Sequence, residues 1–153
     1  MAEIAFTPDL VVVIDNAMTY QEVEKILAER LVQLGYAKDT YPQAIAERET
    51  NYPTGLDVEG INAAMPHCDI ANVNNPAICV GVLKNPVAWR KMDDPDATCQ
   101  VSLVTMLALT EAHAHIDMLT KVVALIQNQD LMKQIVGSDN ADEIYKLIAG
   151  SLS

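Results

Sequence analysis

At 153 residues the chain is long enough to bury roughly 70% of the surface its unfolded form exposes around one core, and half of its residues are apolar, as in a globular protein. Ten basic against twenty-one acidic side chains leave a formal charge of −11, which argues against a nucleic-acid backbone or an anionic lipid surface as partner. With one Trp and one Phe, the core has to be built from Val, Ile, Leu, Met and Ala.

Met1 to Asp9 carries acid early and lacks the basic and apolar regions of a secretory signal. Leu10 to Ile14 is a continuous β-branched run closed by Asp15-Asn16, which predicts a short buried strand. Thr19 and Glu22 have capping-box spacing. Tyr20, Val23, Leu27, Leu31 and Leu34 then recur on one helical face until Gly35. A second helix is expected from about Thr40, with Pro42 in its first turn, to the cluster Glu47-Arg48-Glu49. Thr50 to Gly60 reads as loop.

Ile61 to Met65, Ile78 to Leu83 and Gln100 to Ala108 predict three strands, separated by turns at Asn72 to Pro76 and Asp93 to Asp96. The last of these runs is also compatible with a buried helix, because periodicity does not separate the two for short apolar runs. Pro66 fixes φ and offers no N–H to a ladder, so His67 is expected to leave the sheet at the strand end. Glu111 to Gln127 plots as an amphipathic helix whose apolar arc holds Ala112, Ile116, Met118, Leu119, Val122, Val123, Leu125 and Ile126. His115 falls inside that arc, where an imidazole needs a hydrogen-bond partner or a task, and His113 falls on the polar side. A short helix from Asp130 to Val136 and a last one from about Asn140 to Ala149, stopped by Gly150-Ser151, complete the chain.

No apolar run approaches the ~18 residues of a membrane span, and Cys68, Cys79 and Cys99 have no disulfide-framework spacing. The expectation is a soluble cytoplasmic protein with reduced thiols and no direct membrane insertion. Strands interleaved with helices imply an α/β fold, a three-layer α/β/α sandwich with a mixed central sheet of about four to five strands, forming a single domain over 1–153. In such folds ligand chemistry gathers beyond the strand ends, which is where Pro66-His67 would lie.

Phosphate-loop, nucleophile-elbow and metalloprotease signatures are all absent from the sequence. A zinc site from His67, Cys68, His113 and His115 is disfavoured, because residues 113 and 115 stand about 200° apart on a helix. No metal is therefore expected. His67 is the sharpest reactive group, since a neutral imidazole nitrogen serves as nucleophile, base or ligand.

The runs Asp39-Thr40-Tyr41-Pro42-Gln43-Ala44, Glu47-Arg48-Glu49, Tyr52-Pro53-Thr54-Gly55-Leu56 and Met65-Pro66-His67-Cys68-Asp69 together resemble the enzyme IIA components of the bacterial sugar phosphotransferase system. Within the fructose/mannitol (type 2) superfamily, they look like the galactitol-type branch. The resemblance implies a phosphocarrier without a bound cofactor. His67 would accept a phosphoryl group from phosphorylated HPr and pass it to a cysteine of enzyme IIB, which is coupled to the membrane enzyme IIC. Arg48 matches the family's active-site arginine, a planar cation able to grip two phosphoryl oxygens. His115 matches the second histidine of mannitol-type members and would donate to the phosphoryl group. Thr54 would add a hydroxyl or backbone donor. A basic rim on HPr would suit the acidic surface. A regulatory phosphodomain of the nitrogen-related IIA kind is the alternative.

Overall fold

Two long apolar strands, β4 (Ala77–Arg90) and β5 (Thr98–Ala108), pair antiparallel and form the middle of the molecule. The computed structural model describes residues 4–16 and 19–152, with residues 112–115 described by their helical backbone alone. Around this pair, β1 (Val11–Ile14) adds parallel to β4, β3 (Asn62–Ala64) adds parallel to β5, and β2 (Gly55–Leu56) lies antiparallel on β3. The result is a five-stranded mixed sheet in the order β1-β4-β5-β3-β2.

Helices cover both faces, which is why the central strands read as unbroken apolar runs and not as alternating ones. On one face, Cys79, Trp89, Val101, Val104 and Met106 pack with residues of α1 (Tyr20–Gln33) and α2 (Tyr41–Asn51). On the other, Ile78, Val80, Val82, Leu103 and Leu107 pack with α3 (Ala112–Gln127), α4 (Gln129–Val136) and α5 (Ala141–Leu152). The three-layer α/β/α arrangement follows from this division of side chains, which has period two along β4 and changes phase between Val101 and Leu103 on β5, at the register shift of β3. At Gly81 a Cβ would stand 3.1 Å from Leu27 Cδ1, so the missing side chain lets α1 close onto the sheet. Full burial of Leu27 there is worth about 1.5–3 kcal/mol.

Local signals place the helix starts. Thr19 accepts the Glu22 N–H at 3.3 Å, and Pro42 sits in the first turn of α2. Elsewhere the structure departs from expectation for identifiable reasons. Leu10 belongs to a single 3-10 turn, Pro8–Leu10, and the strand begins one residue later. Within the expected loop 50–60, Gly55 and Leu56 pair with Ala64 and Ala63 as β2.

Strand β4 runs seven residues past Leu83, through Lys84-Asn85-Pro86. Those residues look like a turn in sequence, but the register shifts between Val82 and Val87, so Pro86 leaves no ladder bond unmade. Lys84 instead donates to the Val136 and Ser138 carbonyls and pairs with Asp139 at 2.8 Å, and Asn85 donates to the Asp15 carbonyl. Helix α5 continues over Gly150 to Leu152, because helical glycine costs only about 1 kcal/mol and Leu152 packs against the core. Ile116, expected on the inward arc of α3, is 65% exposed. It lies about 160° around the helix from Met118, at the far edge of that arc.

The cysteines are free, with Cys79 and Cys99 buried and Cys68 half-buried. Among the described residues no helix is long and apolar enough to cross a membrane.

One polar pair interrupts the face covered by α1 and α2. Glu24 and Glu49 are each only 2% exposed and hydrogen-bond to one another. Burial, followed by the charge and hydrogen bond of Glu49, pushes the Glu24 carboxyl up to about 9, so Glu24 is the protonated member at neutral pH. An unfolded Glu24 loses its proton near 4.5. The folded state therefore holds an extra proton between about pH 4.5 and 9, and its stability falls as pH rises through that window. Glu24→Gln, which keeps a donor without the titration, is expected to gain about 2–3 kcal/mol on the wild type between pH 5 and pH 7. Urea unfolding at the two pH values measures it, and a pH-independent difference would contradict the assignment.

Candidate functional site

The site lies where β3 ends. Ala64 is the last residue of the strand, and Met65-Pro66-His67 follows beside β5. Pro66 does not end the pairing as its missing N–H suggested, because its carbonyl still accepts from Leu107 N at 3.0 Å. His67 then forms one further parallel bridge with Leu107. Tyr41 of α2 fastens the same point from outside the sheet, donating its hydroxyl to the Leu107 carbonyl at 2.9 Å.

The His67 ring is half-buried, with Nδ1 2.8 Å from the Met65 carbonyl oxygen. A carbonyl only accepts, so the contact assigns the proton to Nδ1 and the lone pair to Nε2. The imidazole titrates below its ordinary 6.5, chiefly because burial disfavours the cation. The Met65 bond opposes that trend and the nearby Arg48 charge adds to it. At neutral pH the ring is thus neutral and oriented, with a lone pair on Nε2 that is chemically able to act as nucleophile, base or ligand.

Arg48 lies near the C-terminal end of α2. Its guanidinium carbon is 4.7 Å from the centre of the Tyr52 ring, an arrangement that holds the plane by cation–π attraction. Its Nε is buried without a hydrogen-bond partner among the described residues, a donor of the kind an incoming anion satisfies. The residue lines a cavity of about 220 Å³ together with Glu47, Tyr52, Cys68 and Asp69, the last two following His67 directly in the chain. Cys68 is no competing nucleophile, since burial and then Asp69 push its thiol up to about 11.

Thr54 is 3% exposed and fully engaged. Its N–H and hydroxyl donate to the two oxygens of Glu49, at 2.6 and 2.8 Å, and its hydroxyl accepts the Met65 N–H at 3.2 Å. Trp89 of β4 donates its indole N–H to the same carboxylate at 3.1 Å. The Thr54 loop comes so close to β4 that a Cβ on Gly55 would stand 2.5 Å from the Arg90 carbonyl oxygen. Glycine is required there by space alone.

His67 and Arg48 are thus placed within electrostatic reach of one another, and Thr54 sits one layer behind them. His115 lies in the first turns of α3, but its side chain is outside the described residues, as is that of His113. Sequence reasoning missed Glu49, Glu24 and Trp89. A signal existed for the two acids. Glu49 continues the i, i+4 stripe of Tyr41 and Ile45, and Glu24 lies one turn before Ala28 on the buried face of α1. Among the described residues no three His, Cys, Asp or Glu side chains are grouped to hold a metal.

The chain resembles known proteins over nearly its whole length. Its residues 5–151 match the family model described as phosphoenolpyruvate-dependent sugar phosphotransferase system, EIIA 2. It is 32% identical over 135 residues to the fructose-specific EIIABC component of Bacillus subtilis (strain 168), an alignment covering 84% of this chain and 20% of that larger protein. It is 29% identical over 115 residues to the galactitol-specific EIIA component of Escherichia coli (strain K12), covering 75% of this chain and 76% of the relative. Its fold matches enzyme IIAMTL of Escherichia coli, solved in complex with phosphorylated enzyme IIBMTL, with a TM-score of 0.79 at 21% identity over 97% of this chain and 99% of the other. The extent of these matches establishes that the chain belongs to the type 2 enzyme IIA family and is a phosphoryl-carrying phosphotransferase component of the phosphoenolpyruvate-dependent sugar phosphotransferase system.

Proposed function

We propose that this chain acts as one carrier domain that takes a phosphoryl group from phosphorylated HPr onto Nε2 of His67 and delivers it to a cysteine of an enzyme IIB, coupled to an enzyme IIC. The observation that carries this reading is the Nδ1 contact of His67 with the Met65 carbonyl, which assigns the nucleophilic lone pair to Nε2. In the transfer, the Nε2 lone pair attacks phosphorus and the donor's N–P bond breaks, with the bonding pair returning to the donor nitrogen. The proton stays on Nδ1, hydrogen-bonded to the Met65 carbonyl, which stabilises the positive ring. In delivery, the thiolate of the IIB cysteine attacks phosphorus and the Nε2–P bond breaks, with the bonding pair returning to Nε2. Such chemistry asks of the protein mainly positioning and charge stabilisation.

Arg48 supplies the positive charge. Its unmet Nε donor and its guanidinium plane, set against Tyr52, suit a two-point grip on phosphoryl oxygens. His115, in the arc of α3 that plots toward the core, is proposed as a second donor to the phosphoryl group. Thr54 is proposed to act through Met65 and not on the phosphoryl group, because its hydroxyl and N–H are already engaged. The exposed Tyr52 and Ile70 beside the site offer apolar area for both partners, and the formal charge of −11 favours a basic rim on HPr. A cytoplasmic location fits this partnership. Galactitol is the proposed cargo of the system, on the strength of a galactitol-specific relative of which the alignment covers 76%.

Incubation with phosphoenolpyruvate, enzyme I and HPr is expected to add one phosphoryl group to the intact mass. His67→Gln is expected to add none, and phosphorus–nitrogen NMR coupling should place the group on Nε2. Uptake by the His67 variant would overturn the assignment. Arg48→Lys is expected to fold normally and to accept the group about 10- to 100-fold more slowly, the rate equivalent of one hydrogen bond to a charged group. Rapid-quench kinetics reads this directly, and equal rates would remove the two-point grip. Delivery to the galactitol-system IIB at least as fast as to fructose- and mannitol-system IIB proteins is expected, and a preference for either of the latter would reject the cargo assignment.

A further inference from the structure

The buried carboxylate of Glu49 has no direct place in the transfer chemistry, yet an unbroken line of hydrogen bonds leads from it to the reacting ring. Glu49 Oε1 accepts the Thr54 hydroxyl and Oε2 accepts the Thr54 N–H. With its proton given to Glu49, the Thr54 hydroxyl presents a lone pair to the Met65 N–H. The Met65 carbonyl in turn takes Nδ1 of His67. A single residue, Met65, thus has its N–H held by Thr54 and its carbonyl holding the histidine.

The carboxylate fixes what the Thr54 hydroxyl does, and so how firmly the Met65 backbone, whose N–H only donates and whose carbonyl only accepts, is held against the ring. An ionised carboxylate accepts only, so both Thr54 donors must point at it and the hydroxyl has no choice but to accept from Met65. Trp89 supports the same charge from β4. Glu24 supports it from α1, and apart from Glu49 neither of its carboxyl oxygens has a hydrogen-bond partner among the described residues. A neutral amide in place of the carboxylate offers one acceptor oxygen where three donors now converge. Its NH2 group would meet head-on either the Thr54 hydroxyl, at Oε1, or the Thr54 and indole N–H groups together, at Oε2.

We propose that Glu49 is a positioning residue for phosphoryl transfer, setting the orientation and tautomer of His67 through Thr54 and Met65. The proposal rests on the reading of His67 as the phosphoryl acceptor, but its structural half does not need a phosphoryl donor to be tested.

Two measurements separate the possibilities. Nitrogen NMR of the His67 imidazole in the unphosphorylated protein is expected to show one tautomer, Nδ1–H, in wild type and a mixture in Glu49→Gln. Rapid-quench phosphorylation by phosphorylated HPr is expected to slow about 10- to 100-fold in that variant, with half-saturation by HPr changed less than about twofold. Should Glu49→Gln not fold, Thr54→Val removes the same hydroxyl and is expected to reproduce both effects, while Thr54→Ser keeps the hydroxyl and restores them. A wild-type tautomer in folded Glu49→Gln or in Thr54→Val overturns the proposal, whether or not the rate falls. Wild-type rates in both variants also overturn it. Absence of phosphorylation in the wild type, with the tautomer shift present, would sink the carrier reading of His67 and leave the positioning of its ring standing.

Discussion

A carboxylate almost sealed from water ties together the parts that make this site. Glu49 belongs to α2, and it takes hydrogen bonds from the loop that precedes β2 and from Trp89 on β4, with Glu24 of α1 against it. Burying such a charge without partners would cost several kcal/mol, so the surrounding donors are a condition of the fold and not an addition to it. Placing a second acid beside the first would normally make matters worse. The proton that Glu24 retains converts the second acid into another donor. A buried like-charge pair thereby becomes a hydrogen-bonded junction among two helices, a loop and the sheet.

The same helix turn also carries the outward cation. Arg48 and Glu49 are adjacent in sequence and about 100° apart around α2, so one guanidinium lines the cavity shared with Cys68 and Asp69 while the next carboxylate faces the core. Anchoring Glu49 fixes the rotation of α2, and the rotation of α2 aims Arg48. Tyr41, two turns earlier, reaches Leu107 and so fastens the helix to the strand that pairs with His67. His67 and Arg48 are therefore set by one framework, although they lie on different elements nineteen positions apart in the sequence.

Much of this framework is legible in the amino-acid sequence, and the limits have physical causes. Helices α1 and α2 announce themselves through caps, a first-turn proline and i, i+4 spacing, all of which act within a few residues. The α/β layering follows from apolar runs alternating with amphipathic ones. Strand β4 reads too short because Lys84-Asn85-Pro86 resembles a turn, and only long-range partners on α4, the segment after it and the end of β1 explain how those residues stay in the sheet. At the site, His67 and Arg48 stand out because their chemistry is local to the side chain. Glu49 does not, because a charged residue at a helix end is ordinarily solvated. Recognising it as buried requires trusting the stripe begun by Tyr41 and Ile45 over its charge.

What the framework leaves unsaturated is as informative as what it satisfies. The donors of Thr54, Met65 and Trp89 are spent on protein acceptors, whereas on Arg48 a buried Nε has none among the described residues. A carrier that must both receive and release a phosphoryl group is poorly served by a deep nest of donors, since each bond that stabilises the loaded state equally slows its discharge. Were His67 the acceptor, as proposed, hydrogen bonds invested behind it would orient the ring in the loaded and the unloaded state alike and so speed arrival and departure together. In the proposed role, holding the phosphoryl group would be left to few contacts, of which Arg48 would offer the strongest charge. Rigid support beneath a lightly held cargo is the arrangement that reversible transfer between two proteins demands.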